Sequence, residues 1–304
     1  MKSKRDIRTA LRGSMTALVT PFRDGAIDWP AVDHLIDRQI DGGTDWLVPC
    51  GTTGESPTLS SHEHDQLLER VIDRASGRCY VLAGTGSNDT ADTLQKTKQA
   101  AKAGVDAAML VAPYYNRPSQ EGLYQHFAAV AEAVDLPIVL YNVPARTGVT
   151  IHNDTIVRLR ENCPNIIAIK DATGGVDSIT DLLSRCDIAV LSGDDVLTWP
   201  MMALGAVGVI SVVSNLTPSL VKSLVKAAFS GEVRQALSIH RKVFDLANGL
   251  SGFGPNPLPI KTAMAIQCLL LEEFRLPLCP LPPAAREGIE RLLGCHDMLD
   301  RVTA

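Results

Sequence analysis

Ile166-Ile167-Ala168-Ile169-Lys170-Asp171-Ala172-Thr173-Gly174-Gly175 is an apolar run that ends on a lysine and is closed at once by turn residues. A continuous apolar run of this length, with no polar alternation, reads as a strand covered on both faces. Such strands belong to parallel sheets, whose crossover connections need helices. The strand therefore carries the Lys170 ammonium to the rim of an apolar core. Burial disfavours a charged lysine, and a neutral amine adds to ketones and aldehydes to form a Schiff base. Taken alone, a strand-end lysine that snorkels to water explains the same pattern. The ends of the other strands decide between the two.

Outward from this run, short apolar segments alternate with longer amphipathic ones. Strands are expected at 15–20, 46–50, 80–84, 107–111, 137–141, 166–170, 189–192 and 208–211, with helices at 33–39, 63–75, 91–103, 121–134, 153–160 and 178–185 between them. Asn88-Asp89-Thr90 and Ser61 supply helix starts, and Gly42-Gly43 and Gly104 supply helix ends. Eight such units predict an α/β fold, a (β/α)8 TIM barrel over 1–230. A doubly wound open sheet would want a glycine-rich first turn. The best candidate, Gly84-Thr85-Gly86-Ser87-Asn88-Asp89, follows the third strand and lacks the third glycine of the dinucleotide fingerprint. The strand pattern stops near Glu232. Three helices at 232–250, 261–271 and 283–293 then predict a C-terminal helical extension over 231–304, packed on the barrel or on a partner subunit.

Bulk properties exclude several classes. Twenty-nine basic against 34 acidic residues leave a net charge of -5 with no long run of either sign. Nucleic acid binding needs a basic face and is not expected. Seven scattered cysteines, odd in number and never closely paired, fit thiols in a reducing cytoplasm better than a disulfide framework or a zinc site. The charged stretch at 1–12 has no apolar segment behind it, so no secretory leader is expected. No apolar segment is long enough to span a membrane.

Active sites of such barrels gather at the C-terminal ends of the strands. After the second strand comes Gly51-Thr52-Thr53-Gly54-Glu55-Ser56. Its glycines let the backbone approach a ligand, and its hydroxyls and N–H groups suit a carboxylate, although turn formation alone favours the same residues. After the fourth comes Ala112-Pro113-Tyr114-Tyr115-Asn116, whose paired aromatics read first as packing. The fifth ends Leu140-Tyr141-Asn142-Val143-Pro144-Ala145-Arg146, which sets Tyr141 level with Lys170 and Arg146 just above it. Gly193-Asp194-Asp195 and Ile210-Ser211 close the seventh and eighth. A lysine, a phenol, two threonines and an arginine thus converge on one rim. No metal site is expected: His62-Glu63-His64 has a spacing of two, which does not place both imidazoles on one helical face. Lys261, outside the barrel, is expected at the surface or as a cap.

GTTGES at 51–56, PYYNRPSQEGLYQHF at 113–127, YNVPARTG at 141–148, IKDATG at 169–174, LSGDD at 191–195 and GVISV at 208–212 are a specific set. From about Gly13 to the C-terminus the chain resembles the dihydrodipicolinate synthase/N-acetylneuraminate lyase family of class I aldolase barrels. It is nearer the synthase branch, because the lyase branch usually has Ser where Thr52 stands and lacks the arginine at Arg146.

The resemblance implies a lyase of lysine and diaminopimelate biosynthesis that condenses pyruvate with L-aspartate-4-semialdehyde and needs no cofactor. Lys170 would form the Schiff base. Tyr141 would move protons, relayed through Thr52 to Tyr115, which would reach across a dimer interface. Thr53, the neighbouring amides, Gly193 and Ile210 would hold pyruvate, and Arg146 the carboxylate of the second substrate. A homotetramer built as a dimer of dimers is implied. So is an L-lysine effector cleft at Ser56, Ser61, His64, Gly86, Ser87, Asn88, Asp92 and Tyr114. There Ser61 replaces a histidine and Asp92 a glutamate, which weakens the expected feedback. Gly254 also departs from the family, where an acidic residue often stands. A sialic acid or 2-keto-3-deoxy sugar acid lyase or dehydratase is the alternative, disfavoured by Arg146. A catalytically idle binding barrel is the other, disfavoured by the full set of expected residues.

Overall fold

All eight apolar runs become strands of one closed parallel barrel in the computed structural model, which describes residues 7–296 and Met298. They are β1 (Gly13–Ala17), β2 (Trp46–Val48), β3 (Tyr80–Gly84), β4 (Ala107–Val111), β5 (Ile138–Asn142), β6 (Ile166–Asp171), β7 (Ala189–Ser192) and β8 (Gly208–Ser211). Each strand pairs with its neighbours in sequence, and β8 closes on β1 with Gly13 opposite Gly208. The first strand ends earlier than its apolar run. Val19 has left the ladder, and its N–H donates to Asn215 Oδ1 at 3.3 Å instead. Residues 1–6 of the charged start, and 297 and 299–304 of the C-terminal segment, lie outside the described residues.

Helices cover the outside: α1 (Trp29–Asp41), α2 (Ser61–Ala75), α3 (Thr90–Ala103), α4 (Gln120–Glu132), α5 (Asn153–Asn162), α6 (Asp177–Arg185), α7 (Thr198–Ala203) and α8 (Pro218–Phe229). The last two were not among the expected helices. α7 is short and carries Pro200, while α8 starts on Pro218, a residue suited to a first turn. Asp89 caps α3, but α2 is capped by Ser60 and not by Ser61. Ser60 closes a capping box with Glu63, satisfying the end donors from both sides.

Alternation along the strands divides the core. Met15 and Ala17, Trp46 and Val48, Ala107 and Met109, and Val139 and Tyr141 fill the barrel interior. Leu110, Ile138, Leu140 and Ile169 face the helices. After α8 the chain forms α9 (Val233–Ser251), α10 (Leu258–Ile266) and α11 (Pro283–Cys295). Leu246, Leu250, Ile260, Met264 and Ile289 from these helices join Val221 and Leu224 of α8 in one buried cluster. α10 begins a turn before the expected 261–271 and ends at Ile266, ahead of Cys268, which has a left-handed φ of 55°. Among the described residues no helix is long and apolar enough to cross a membrane.

Candidate active site

The register between β5 and β6 slips once. Ile138 pairs with Ile166, whereas Val139 pairs with Ala168, so Ile167 is an extra residue. A bulge of this kind re-aims every side chain beyond it. Its effect is to set Lys170 directly opposite Tyr141, and both are buried, at 5% and 6% exposure. Lys170 Nζ stands 4.1 Å from the centroid of the Tyr141 ring. Gly193, after β7, keeps this space open. A Cβ there would fall 3.0 Å from Lys170 Cε, 2.8 Å from Ala172 Cβ and 2.9 Å from the Asp171 carbonyl oxygen. Gly193 N–H also donates to that carbonyl at 2.6 Å. Ile210, on β8, is fully buried in the same interior cluster as Tyr141.

The loop after β2 folds back on itself, with Gly54 N–H donating to Gly51 O at 3.1 Å and Glu55 N–H to Thr52 O at 3.1 Å. Thr20 Oγ1 donates to Gly54 O at 2.7 Å. Thr53 is buried, and its Oγ1 accepts from Asn256 Nδ2 at 2.9 Å. Glu55 has a left-handed φ of 54°, and its carboxylate is fully buried. Its partner is Lys261. Nζ lies 2.6 Å from Glu55 Oε1 and also donates to Thr20 O at 2.9 Å and Glu273 O at 2.7 Å. The expectation of a surface or capping Lys261 is therefore corrected. With its three donors used, an interior ammonium can be held where a lone one would be prohibitive. Burial pulls Lys261 below the usual lysine range, and Glu55 opposes that shift.

Arg146 sits in a single helical turn, Pro144–Thr147, and is exposed. Its guanidinium donates to the Asn256 carbonyl at 3.0 Å. Thr52, Tyr141 and Arg146 line one cavity of about 230 Å³, shared with Ser56, His64, Gly86, Tyr114 and Lys96. Four of the eight candidate effector residues, Ser56, His64, Gly86 and Tyr114, thus border the same space as Thr52 and Tyr141. His64 Nε2 lies 3.0 Å from Gly84 O, and Asp92 is paired with Lys96 at 2.7 Å. The Asn88 carbonyl accepts from Asn116 Nδ2 at 2.8 Å. Tyr115 does not join the others. It is 90% exposed with a left-handed φ of 72°, so within the single chain it does not pack. Among the described residues no group of three or more His, Cys, Asp or Glu side chains is placed to hold a metal ion.

Three residues shape the rim in ways that their sequence context does not signal. Asn256 bridges Thr53 and Arg146, and Lys261 anchors Glu55. Asp195 is buried and braces the end of β8, its Oδ2 accepting from Val212 N–H at 2.9 Å and Val213 N–H at 3.0 Å. Burial raises its carboxyl above the ordinary range. Gly254, where the family often has an acid, has a φ of 154° that favours glycine, and a Cβ would lie 3.2 Å from Leu281 Cδ2.

A closed parallel barrel whose rim joins a buried lysine to a phenol defines an aldolase-type enzyme. The chain belongs to the dihydrodipicolinate synthetase family, whose model matches residues 10–295. It is 50% identical over 290 residues to the 4-hydroxy-tetrahydrodipicolinate synthase of Pelobacter propionicus, covering 95% of this chain and 99% of that one. The crystal structure of the Aquifex aeolicus dihydrodipicolinate synthase superposes with a TM-score of 0.93 at 45% identity, over 96% of this chain and 100% of that one. The chloride-inhibited enzyme of Acinetobacter baumannii, solved in complex with pyruvate, gives 0.92 at 44% identity, over 95% and 100%.

Proposed function

We propose that this chain condenses pyruvate with L-aspartate-4-semialdehyde to 4-hydroxy-tetrahydrodipicolinate through a Schiff base on Lys170. The observation that carries the reading is the pairing of Lys170 with Tyr141: a buried amine 4.1 Å from a phenol ring at the C-terminal rim of the barrel. The Lys170 amine adds to the pyruvate ketone, and loss of water leaves an iminium. That cation withdraws electrons from the adjacent methyl group, which releases a proton and becomes the enamine carbon. The enamine attacks the aldehyde of the second substrate, forming the carbon–carbon bond. The substrate's own amine then displaces Lys170 at the imine carbon, closing the ring and freeing the enzyme. Tyr141 gives and takes the protons of these steps, with Thr52 as the next hydroxyl in the relay. Thr53 and its loop hold the pyruvate carboxylate, Gly193 leaves room for the lysine chain, and Ile210 walls the pocket. Arg146 reads the carboxylate of the semialdehyde, a task suited to a planar two-pronged donor.

Tyr115 completes the relay from a second copy of the chain, so the working unit is a dimer, paired again into a homotetramer. The exposure of an aromatic side chain held on a left-handed backbone supports this. The enzyme acts in the cytoplasm, where scattered thiols stay reduced. Incubation with pyruvate and borohydride should attach a stable adduct to the peptide containing Ile169-Lys170-Asp171, and Lys170→Ala should abolish it. Rates with pyruvate and a panel of aldehydes should be highest for aspartate-4-semialdehyde. An adduct on Lys261, or preference for a sugar aldehyde, refutes the proposal.

A further inference from the structure

Asn256 comes from the C-terminal segment, far in sequence from every strand of the barrel, yet it touches both substrate-reading groups. Its side-chain Nδ2 donates to Thr53 Oγ1 at 2.9 Å, and its backbone carbonyl accepts from Arg146 at 3.0 Å. Pro255 and Pro257 flank it and restrict its backbone, so both contacts leave from a stiff support. Asn256 also lines a second cavity, of about 290 Å³, together with Gly193 and Asp194. Its Oδ1 is buried with no hydrogen-bond partner, so the amide is held by its donor side.

A threonine hydroxyl has one proton and two lone pairs. Where a neighbouring N–H occupies a lone pair, the proton is left for another acceptor. A carboxylate can only accept, so a hydroxyl that binds one must offer its proton. The opposite amide orientation would draw the Thr53 proton toward Asn256 and present lone pairs to an anion. We propose that Asn256 is a positioning residue, which fills the acceptor side of Thr53 and so turns its O–H toward the carboxylate of a 2-keto acid. This rests on the pyruvate reading given above.

The test uses the full chain and two variants. In Asn256→Ala the donor is gone but the Thr53 proton is still free to turn to the substrate. In Asn256→Asp the new carboxylate captures that proton. The readouts are the pyruvate concentration that half-saturates borohydride trapping, and the KM for the semialdehyde. Asn256→Ala should raise the half-saturating pyruvate several-fold. Asn256→Asp should raise it further, on the order of ten- to a hundredfold, the scale of a lost hydrogen bond to a charged group. The semialdehyde KM should stay near the wild-type value, because the backbone carbonyl that holds Arg146 is retained. In a Thr53→Val background the aspartate should add little, since the hydroxyl it captures is absent. Simple charge repulsion would keep the same factor in both backgrounds and overturn the proposal. An unchanged half-saturation in Asn256→Ala, or equal rises for both substrates, overturns it as well. Absence of an adduct on the wild-type chain would instead overturn the pyruvate reading on which the proposal stands.

Discussion

Replacing Lys261 by methionine tests whether the C-terminal segment holds the loop after β2 in place. Methionine fills the lysine's space with an unbranched, adaptable chain and removes only the ammonium. The structure says what is lost: the 2.6 Å contact to Glu55 and the donors to the Thr20 and Glu273 carbonyls. Glu55 then keeps Arg275 N–H at 3.2 Å, too little to replace a buried counter-charge. Breaking a buried ion pair from one side costs about 3–5 kcal/mol. For 304 residues, an unfolding entropy of about 2.1 cal/mol/K per residue turns that into a Tm fall of roughly 5–8 °C. Scanning calorimetry at neutral pH measures it. Adding Glu55→Gln removes the stranded charge and should recover at least half of the loss, because an uncharged replacement for a buried pair is often nearly neutral. Borohydride trapping should also need more pyruvate in Lys261→Met, since Glu55 holds its left-handed turn beside Thr53. A Tm unchanged in the single variant, or a double variant less stable than the single, would refute the reasoning.

Arg146→Ala should raise KM for the semialdehyde much more than for pyruvate; equal effects would mean that the guanidinium supports its loop and reads nothing. Tyr115→Phe and Lys170→Ala, each nearly inactive alone, should recover part of the activity when unfolded and refolded together, and wild-type kinetics in Tyr115→Phe would exclude a relay across subunits. L-Lysine should inhibit weakly, because Lys96 already occupies the Asp92 carboxylate at 2.7 Å; half-inhibition at submillimolar lysine in an initial-rate titration would contradict this. Burial pushes His126 down to about 4, so the unfolded chain takes up this proton below about pH 6.5 while the folded chain resists it. The stabilisation is complete above that value and is lost as pH falls toward 4. Urea midpoints should therefore fall less on acidification in His126→Gln than in wild type, and parallel curves would refute the assignment.

What was legible in the chain follows from the range of each interaction. Strands β3, β4, β7 and β8 begin and end where their apolar runs do, because burial on both faces is written residue by residue. Strand-end position alone sets Lys170 and Tyr141 level with each other. The bulge at Ile167, which produces that alignment, has no local signature, since Ile166-Ile167-Ala168-Ile169 reads the same with or without a slip. The burial of Lys261 is hidden from the sequence for a related reason. One-dimensional reading sees a lysine in an apolar helix, while the groups that make its burial tolerable lie at Glu55, Thr20 and Glu273. Tyr115 is exposed although an aromatic pair usually packs, and its left-handed φ of 72° has no signature in the sequence.

These long-range contacts change how the C-terminal helices should be regarded. Asn256 grips Thr53 and Arg146, and Lys261 grips Glu55. Arg275 pairs with Glu63 at 2.5 Å and donates to the Thr58 carbonyl at 2.9 Å, while Glu273 accepts from Asp24 and Gly25 N–H groups. Every one of these residues comes from the stretch after α9, and together they hold the loop after β2, the start of α2 and the turn that carries Arg146. Strand ends alone can supply the lysine and the phenol. They cannot supply the second side of the loop after β2, because that loop leaves the barrel and must be pinned from outside. The helices after α9 are thus a structural part of the candidate active site, and the barrel supplies only the half of it that the strand ends can reach.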